Sequence, residues 1–461
     1  MDSNDTSSDH QPDPPPRILL AATNRWSLAA RLAADFLGLG CDVAAVCPII
    51  GHPIRKVRGF KNLYPYAAGR PLESLRAAIE EFEPDVIVPV CDRSVEHLHQ
   101  LHAQCAQAGR RGSRLNALIE RSLGPASSFP VVSSRYNLMM LAKEIGIRIP
   151  DTVRINSVDD VRAWEDRLPW LLKADGTSYG IGVKKAETIR SATNVLRQLT
   201  MRMSALGLIT RLLLYRDRAT TIANWAGATR PGIVAQAIVP GRPANCSIVC
   251  WNGEVLAGIA VEVVQADGPH QPAIVVQVVE GREMLDAAKK IAVRLGLTGF
   301  FGLDFMIEDA TGTLFLIEMN PRCTPPCHIN LGGNRDLPGA FWAKLAARER
   351  PERPAITTES TIAYFPNAVL YDSANLTELA SFYLDVPTGE QELVHELLHP
   401  RSEFSLMGGL LHRIRCNLPF KKELRRILSS LRGASEVPRA QGPTAGQNRA
   451  GATNQPQNDW H

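Results

Sequence analysis

Apolar and polar positions divide the chain into short buried strands and helices in its first half and into longer paired strands in its second. Arg17-Ile-Leu-Leu-Ala-Ala22 is a short apolar run, followed by a helix over Leu28–Leu39 that Ser27 could cap and Gly40 would close. Cys41–Cys47 reads as a second strand, so the chain opens β-α-β and a parallel sheet is expected. Leu72–Phe82 reads as a helix and Asp85–Val90 as a strand, with Cys91-Asp92 at the carboxyl end, where open α/β sheets usually hold ligands. Helices follow over Ser133–Gly146 and Val158–Arg167, the second behind Asn156 or Ser157, with a break at Pro150. Trp170–Lys173 is a strand ending in a lysine, and Val183 resumes a strand after a loop containing Gly176, Gly180 and Gly182. Thr188–Leu206 has a helical pattern, whereas Leu208–Ala228 has no clear period and reads as an insertion.

The second half is richer in strands. Ile233–Val239 is apolar and ends at Pro240-Gly241. Cys246–Trp251 and Val255–Val264 form a hairpin around Asn252-Gly253, a strong two-residue turn. Ile274–Val279 adds a strand, and Glu283–Leu295 an amphipathic helix stopped by Gly296. Beyond these, Pro338–Glu349 reads as a helix, and residues 360–371 and 375–385 as a strand and a helix.

Two strands break their own pattern. Gly299–Ile307 is apolar except for Asp304, and Thr313–Met319 is apolar except for Glu318. Asp309-Ala310-Thr311-Gly312 between them has the composition of a tight turn, and Asn320-Pro321-Arg322 follows at once. A carboxylate in a buried strand is costly unless a cation or metal offsets it. Asp, Glu and Asn offer only hard oxygen ligands, which suits Mg²⁺ shared with phosphate oxygens. Buried Arg or Lys partners would satisfy the same carboxylates without any ligand. The loop after Lys173, with three glycines and two hydroxyls, could wrap phosphates with backbone N–H groups or be an ordinary turn.

Charge and composition narrow the classes. The 461 residues carry a net charge of +4, but from residue 401 onward ten basic residues face four acidic ones, so the remainder is slightly negative. The body therefore has no basic character pointing to nucleic acid. Residues 419–432 read as a short basic amphipathic helix that either docks on its own domain or meets an acidic membrane surface or a partner. No apolar run is long enough to span a membrane, and the polar start lacks a secretory pattern. With nine scattered cysteines this points to a reducing, cytoplasmic setting. The CxxxC pairs Cys246/Cys250 and Cys323/Cys327 read as small apolar fillers in place of zinc knuckles. Neither a GxGxxG fingerprint nor a Walker loop is present, which argues against a Rossmann oxidoreductase or a P-loop enzyme.

Taken together, Lys173 with its glycine loop and Gly302-Leu-Asp-Phe…Leu-Ile-Glu-Met-Asn-Pro-Arg322 resemble the ATP-grasp superfamily. That group includes biotin carboxylase and the large subunit of carbamoyl phosphate synthetase. The resemblance implies an α/β and α+β fold: a parallel-sheet pre-ATP-grasp domain at 17–130, then an ATP-grasp domain at 131–345 with two subdomains and a glycine-rich lid at about 151–230. A C-terminal extension at 346–432 would follow, with disordered ends at 1–16 and 433–461. It further implies that Lys173 meets phosphate and the adenine edge, that Arg135 touches phosphate, and that Gly176, Gly180 and Gly182 cover the phosphates. Gln236, Ala237, Ile238 and Val239 would form the hinge whose backbone reads adenine. Asp304, Glu318 and Asn320 would hold one or two Mg²⁺ (or Mn²⁺), and Arg322 would stabilise an acyl phosphate. No acid follows the hinge glycine before Glu254, so Asn245 would take the ribose. The expected activity is ATP-dependent activation of a small carboxylate and its joining to an amine-type acceptor. The alternative is a non-catalytic ATP-binding module acting through the basic tail. Loops at Thr23–Ser27 and Cys91–Ser94 would shape the acid site, and self-association is left open.

Overall fold

The computed structural model describes residues 14–48, 51–109, 113–177, 182–200, 231–266, 268, 272–371 and 381–399, all within the compact unit that spans residues 1–416. The expected insertion at Leu208–Ala228, the loop glycine Gly180 and the basic helix at 419–432 lie outside the described residues.

The N-terminal region is a parallel sheet. β1 (Arg17–Ala21) is followed by α1 (Ser27–Gly38), β2 (Asp42–Cys47), β3 (Asn62–Pro65), α2 (Pro71–Phe82) and β4 (Val86–Pro89). The order is β3-β2-β1-β4, with Leu20 opposite both Ala45 and Val88. The central strand shows why its sequence is nearly unbroken aliphatic: Ile18, Leu19 and Leu20 are fully buried, as strands covered on both faces require. Two local expectations change here. Ser27 is the first residue of α1 and caps nothing; Trp26 stands at the N-cap with no side-chain cap bond. Cys91–Ser94 is no loop but the start of α3 (Asp92–Gln107), closed by a capping box between Cys91 and Ser94. α4 (Arg114–Leu123) and the single turn α5 (Phe129–Val132) lead out of this region.

A small antiparallel sheet comes next. α6 (Arg135–Glu144) is capped by Ser134, whose hydroxyl accepts from the Asn137 amide at 3.3 Å. β5 (Thr152–Arg154), α7 (Val158–Ala163), β6 (Trp170–Ala174), β7 (Val183–Ala186), α8 (Ile189–Thr200) and β8 (Ile233–Ala237) follow, with strand order β5-β8-β6-β7. Trp170, Leu172 and Ala235 bury one face of this sheet against Val161, Ala192 and Leu196 of the helices.

The large sheet has seven strands. β9 (Gly241–Trp251) and β10 (Glu254–Ala266) form the hairpin, with Asn252 and Gly253 both at positive φ in its turn. β11 (Ala273–Val279), α9 (Arg282–Leu295), β12 (Gly299–Glu308), β13 (Leu314–Asn320), α10 (Leu337–Leu345), β14 (Thr361–Ala363), α11 (Asn367–Tyr371), β15 (Tyr383–Leu384) and α12 (Gln391–Leu398) complete the described elements. The strand order is β13-β12-β9-β10-β11-β14-β15. Over 360–371, expected as a strand, a three-residue strand precedes a short helix; of the helix expected over 375–385, residues 375–380 lie outside the described residues and 383–384 are a strand. Segments of two or three residues at a sheet edge are too short to show either period.

One face of the large sheet is core. Cys246, Ile248 and Cys250 of β9 and Leu303 and Phe305 of β12 pack with Ala288, Ile291 and Ala292 of α9 and with Leu138 and Met139 of α6. Both cysteines of the 246/250 pair are thus apolar core atoms, and burial pushes their thiols well above the ordinary range, that of Cys246 to about 12. Strand alternation then puts Asn245, Asp304, Glu318 and Asn320 on the opposite face. Among the described residues no helix is long and apolar enough to cross a membrane.

Candidate active site

Register builds the site. Asp304 on β12 lies directly opposite Glu318 on β13 and opposite Asn245 on β9, so the three side chains form one row across three strands. A bulge follows at once: Phe305 pairs with Leu316, leaving Ile317 as the extra residue. Both Asp304 oxygens accept hydrogen bonds from amides. Asn245 Nδ2 donates to Oδ1 at 2.6 Å and Asn320 Nδ2 to Oδ2 at 2.8 Å. Burial, with Glu318 beside it, raises the Asp304 carboxyl above the ordinary carboxylate range. Asn245 is spent at both ends, because its nitrogen also reaches the Leu303 carbonyl at 3.2 Å and its oxygen accepts from Ser247 at 3.1 Å. Asn245 thus belongs to the carboxylate row while still lining the cavity.

Three cations surround this row. Arg135, the first residue of α6, donates to Glu318 Oε1 at 2.6 Å and to the Thr177 carbonyl at 3.0 Å, and also binds the Ala174 carbonyl. It thereby ties Glu318 to the start of the glycine loop. Its own amide donates to Asp175 Oδ1 at 3.0 Å. Lys173, the next-to-last residue of β6, is 3% exposed, with Nζ donating to Gln236 Oε1 on β8 at 2.6 Å. Burial, only partly offset by the attraction of Glu318, lowers its ammonium to about 8. Arg322 donates from Nε to Asp92 Oδ2 at 3.0 Å and from Nη2 to the Asn320 amide oxygen at 3.3 Å, and its guanidinium lies 4.8 Å from the Trp26 ring centroid. Asp92 and Trp26 come from the parallel-sheet region, at the carboxyl ends of β4 and β1. Trp26 lines the cavity itself, and Asp92, at the start of α3, meets it through Arg322.

All of this faces one cavity of about 510 Å³. Arg135, Lys173, Gln236, Ala237, Ile238, Val239, Asn245, Asp304, Glu318, Asn320 and Arg322 line it. Gly176 and Gly182 flank the loop without lining it, and Gly182 is held against Thr177, whose Oγ1 would lie 2.0 Å from an added Cβ. Trp26, Pro325 and Pro326 also line the cavity, together with Val261, Val263, Val276 and Tyr364, which sequence reasoning missed. Only the strand register could have found the valines, because in an apolar strand both faces are written in the same residue types.

Among the described residues no group of three or more His, Cys, Asp or Glu side chains is placed to hold a metal. A divalent ion here would rest on two carboxylates and the Asn320 amide oxygen, completed by non-protein oxygens, a donor set that fits Mg²⁺ or Mn²⁺. The raised Asp304, solvated only by amides, is the group such an ion would relieve.

A family described as an ATP-grasp domain matches residues 213–326. The arginine-specific large chain of carbamoyl phosphate synthase from Geobacillus stearothermophilus is 27% identical over 99 residues, which is 20% of this chain and 9% of that protein. A carboxyaminoimidazole ribonucleotide synthase from Aspergillus clavatus, crystallised with ATP, superposes with a TM-score of 0.53 at 12% identity over 75% of this chain and 80% of that one. The biotin carboxylase domain of the Hydrogenobacter thermophilus 2-oxoglutarate carboxylase, solved with MgADP and bicarbonate, gives 0.51 at 16% identity over 74% of this chain and 71% of its own. At these identities the two solved structures speak to the fold.

Proposed function

We propose, from the premise that this chain has the ATP-grasp fold and carries an ATP-grasp domain, that it is an ATP-dependent ligase. It activates a carboxylate as an acyl phosphate and joins it to an amine-type nucleophile, releasing ADP and phosphate. One observation carries the reading. The Asn245–Asp304–Glu318 row, Asn320 and three cationic side chains converge on a single cavity with an apolar strand end, Ala237–Val239, along its wall.

The chemistry needs positioning and charge more than covalent help from the protein. A carboxylate is a poor electrophile. Transfer of the γ-phosphoryl group to one of its oxygens gives a mixed anhydride, from which an amine displaces phosphate. Asp304, Glu318 and Asn320 would hold Mg²⁺ or Mn²⁺, which supplies charge neutralisation on the phosphates. Lys173, protonated at neutral pH with an ammonium at about 8, donates to phosphate beside the hinge residue Gln236. Arg135 links Glu318 to the Thr177 carbonyl, so a phosphate contact at Arg135 would be tied to both. Arg322 is aimed by Asp92 and by the Trp26 face toward the end of the cavity where the acyl phosphate forms. Excluding water there preserves the anhydride.

The test is ADP release in the presence of Mg²⁺, a panel of carboxylic acids and hydroxylamine, with the acyl hydroxamate measured as the trapped product. Acid-dependent hydroxamate matching ADP is the expected result. ADP release that ignores every acid, or nucleotide binding with no release, refutes the ligase reading.

A further inference from the structure

Across the large sheet the cavity-facing surface changes character from strand to strand. β13, β12 and β9 present Glu318, Asp304 and Asn245; β10 and β11 present Val261, Val263 and Val276. The register sets the boundary, with Asn245 paired to Val261 and Val263 paired to Val276. Neighbouring strands stand about 4.8 Å apart, so polar surface gives way to apolar surface one strand beyond the amide that holds Asp304. Pro325 and Pro326, on the loop that follows Arg322, line the cavity with these valines. That loop is pinned to the sheet. Thr324 shares a hydrogen bond with Ser247 and packs over Gly302, where an added Cβ would come within 2.3 Å of the threonine methyl. Tyr364 also lines the cavity; its buried hydroxyl has no hydrogen-bond partner among the described residues.

Arg322, at the start of that loop, lines the same cavity, and Asp92 and Trp26 orient it; the described shelf residues themselves carry no charge. A carboxylate held at Arg322 must extend the rest of its molecule over the valines and prolines. No described side chain there pairs with a second charge, and burying an unpaired charge is costly. Bicarbonate would leave the shelf facing water.

Building on the ligase reading above, we infer that the acid activated at this site has an uncharged, apolar body of several carbons. It is neither bicarbonate nor a dicarboxylate.

The experiment uses the full chain with Mg–ATP and hydroxylamine as the sole nucleophile. It compares acetate, butyrate, hexanoate and phenylacetate with bicarbonate, succinate and glutarate. Expected is a rise in kcat/KM of about fourfold per added methylene until the shelf is filled, the factor that corresponds to burying one CH₂. Val263 is half-buried, so Val263→Ala should fold and should flatten this series while leaving nucleotide affinity in place. Val263→Asp should lower kcat/KM for hexanoate at least tenfold. A flat series in the parent protein, or preference for bicarbonate or succinate, overturns the inference and leaves the ligase reading standing. If Mg–ATP binds and no acid stimulates release, the ligase reading falls. The shelf is then judged by calorimetric binding of hexanoate against succinate to the Mg–ADP-loaded protein. Absence of hexanoate binding, or tighter succinate binding, overturns it too.

Discussion

Asp304 is the residue whose burial folding alone does not explain. Two amides solvate its carboxylate and another carboxylate faces it across the ladder, and the attraction of Arg322 offsets its burial only in part. Glu318 differs, since Arg135 already neutralises it. Glu318→Gln and Asn320→Ala should therefore each lower acid-dependent ADP release by about 10²–10³-fold, the scale seen when a group that stabilises developing charge is removed. Both should also raise the Mg²⁺ concentration needed for half-maximal rate, and metal titration of each variant checks this. Lys173 carries a pH signature. Its ammonium is lowered to about 8, so the free protein loses that charge as pH rises through 8, and bound phosphate would restore it. Nucleotide Kd should climb toward about tenfold per pH unit above that point, measured by calorimetry, and Lys173→Met should abolish the slope. Asp304, Glu318 and Asn320 were legible in sequence because charge interrupts apolar strands. The place of Asn245 beside Asp304 was not legible, because distance from the hinge glycine says nothing about which strand it will face. Its partner Asp304 lies 59 residues away.

Elements decide how accurately those residues meet. β9 lies between β12 and β10, and its first residue, Gly241, packs against the β12 backbone: an added Cβ would fall 2.0 Å from the Ile307 carbonyl oxygen. Backbone cannot swing aside as a side-chain tip can. Gly241→Ala should cost about 1–3 kcal/mol by overpacking and shift the β9–β12 register on which the Asn245–Asp304 contact depends. Urea denaturation gives the first quantity and kcat the second. A variant as stable and active as the parent would show that the strand start is more yielding than its contacts indicate. The long strands and the β9–β10 hairpin were readable from alternation and the Asn252-Gly253 turn. The short edge strands β14 and β15 were not, for lack of a period. α3 has Val95, Leu98, Leu101 and Cys105 on its buried face, so its signal was present in the sequence. Reading Cys91–Ser94 as a loop hid the capping box that starts it.

At the scale of the whole molecule, ion pairs join the parallel-sheet region to the rest. Arg31 and Asp35 on α1 meet Asp385 and Arg353 from beyond residue 345, while His328 reaches the other Asp385 oxygen at 2.7 Å. The two carboxylates respond oppositely to this setting. Arg31 and His328 hold Asp385 below the usual carboxylate range despite its burial. Asp35 is pushed up to about 6 by burial, which outweighs Arg353 at 3.7 Å, and one of its oxygens has no hydrogen-bond partner among the described residues. A carboxyl that titrates higher in the folded state than in the unfolded chain binds its proton more tightly when folded. Its contribution is fully present below about pH 4 and is lost as pH rises through 6. Asp35→Asn removes that proton linkage and leaves the Asp385 contribution, lost at low pH, in both proteins. The stability of the parent relative to Asp35→Asn should therefore increase on acidification from pH 7 to pH 4, by up to about 3 kcal/mol for the rise from 3.8 to about 6. Paired urea titrations across that range measure it. A difference independent of pH would mean that Arg353 compensates the buried charge in full, and that the junction between α1 and the C-terminal extension is an ordinary ion pair.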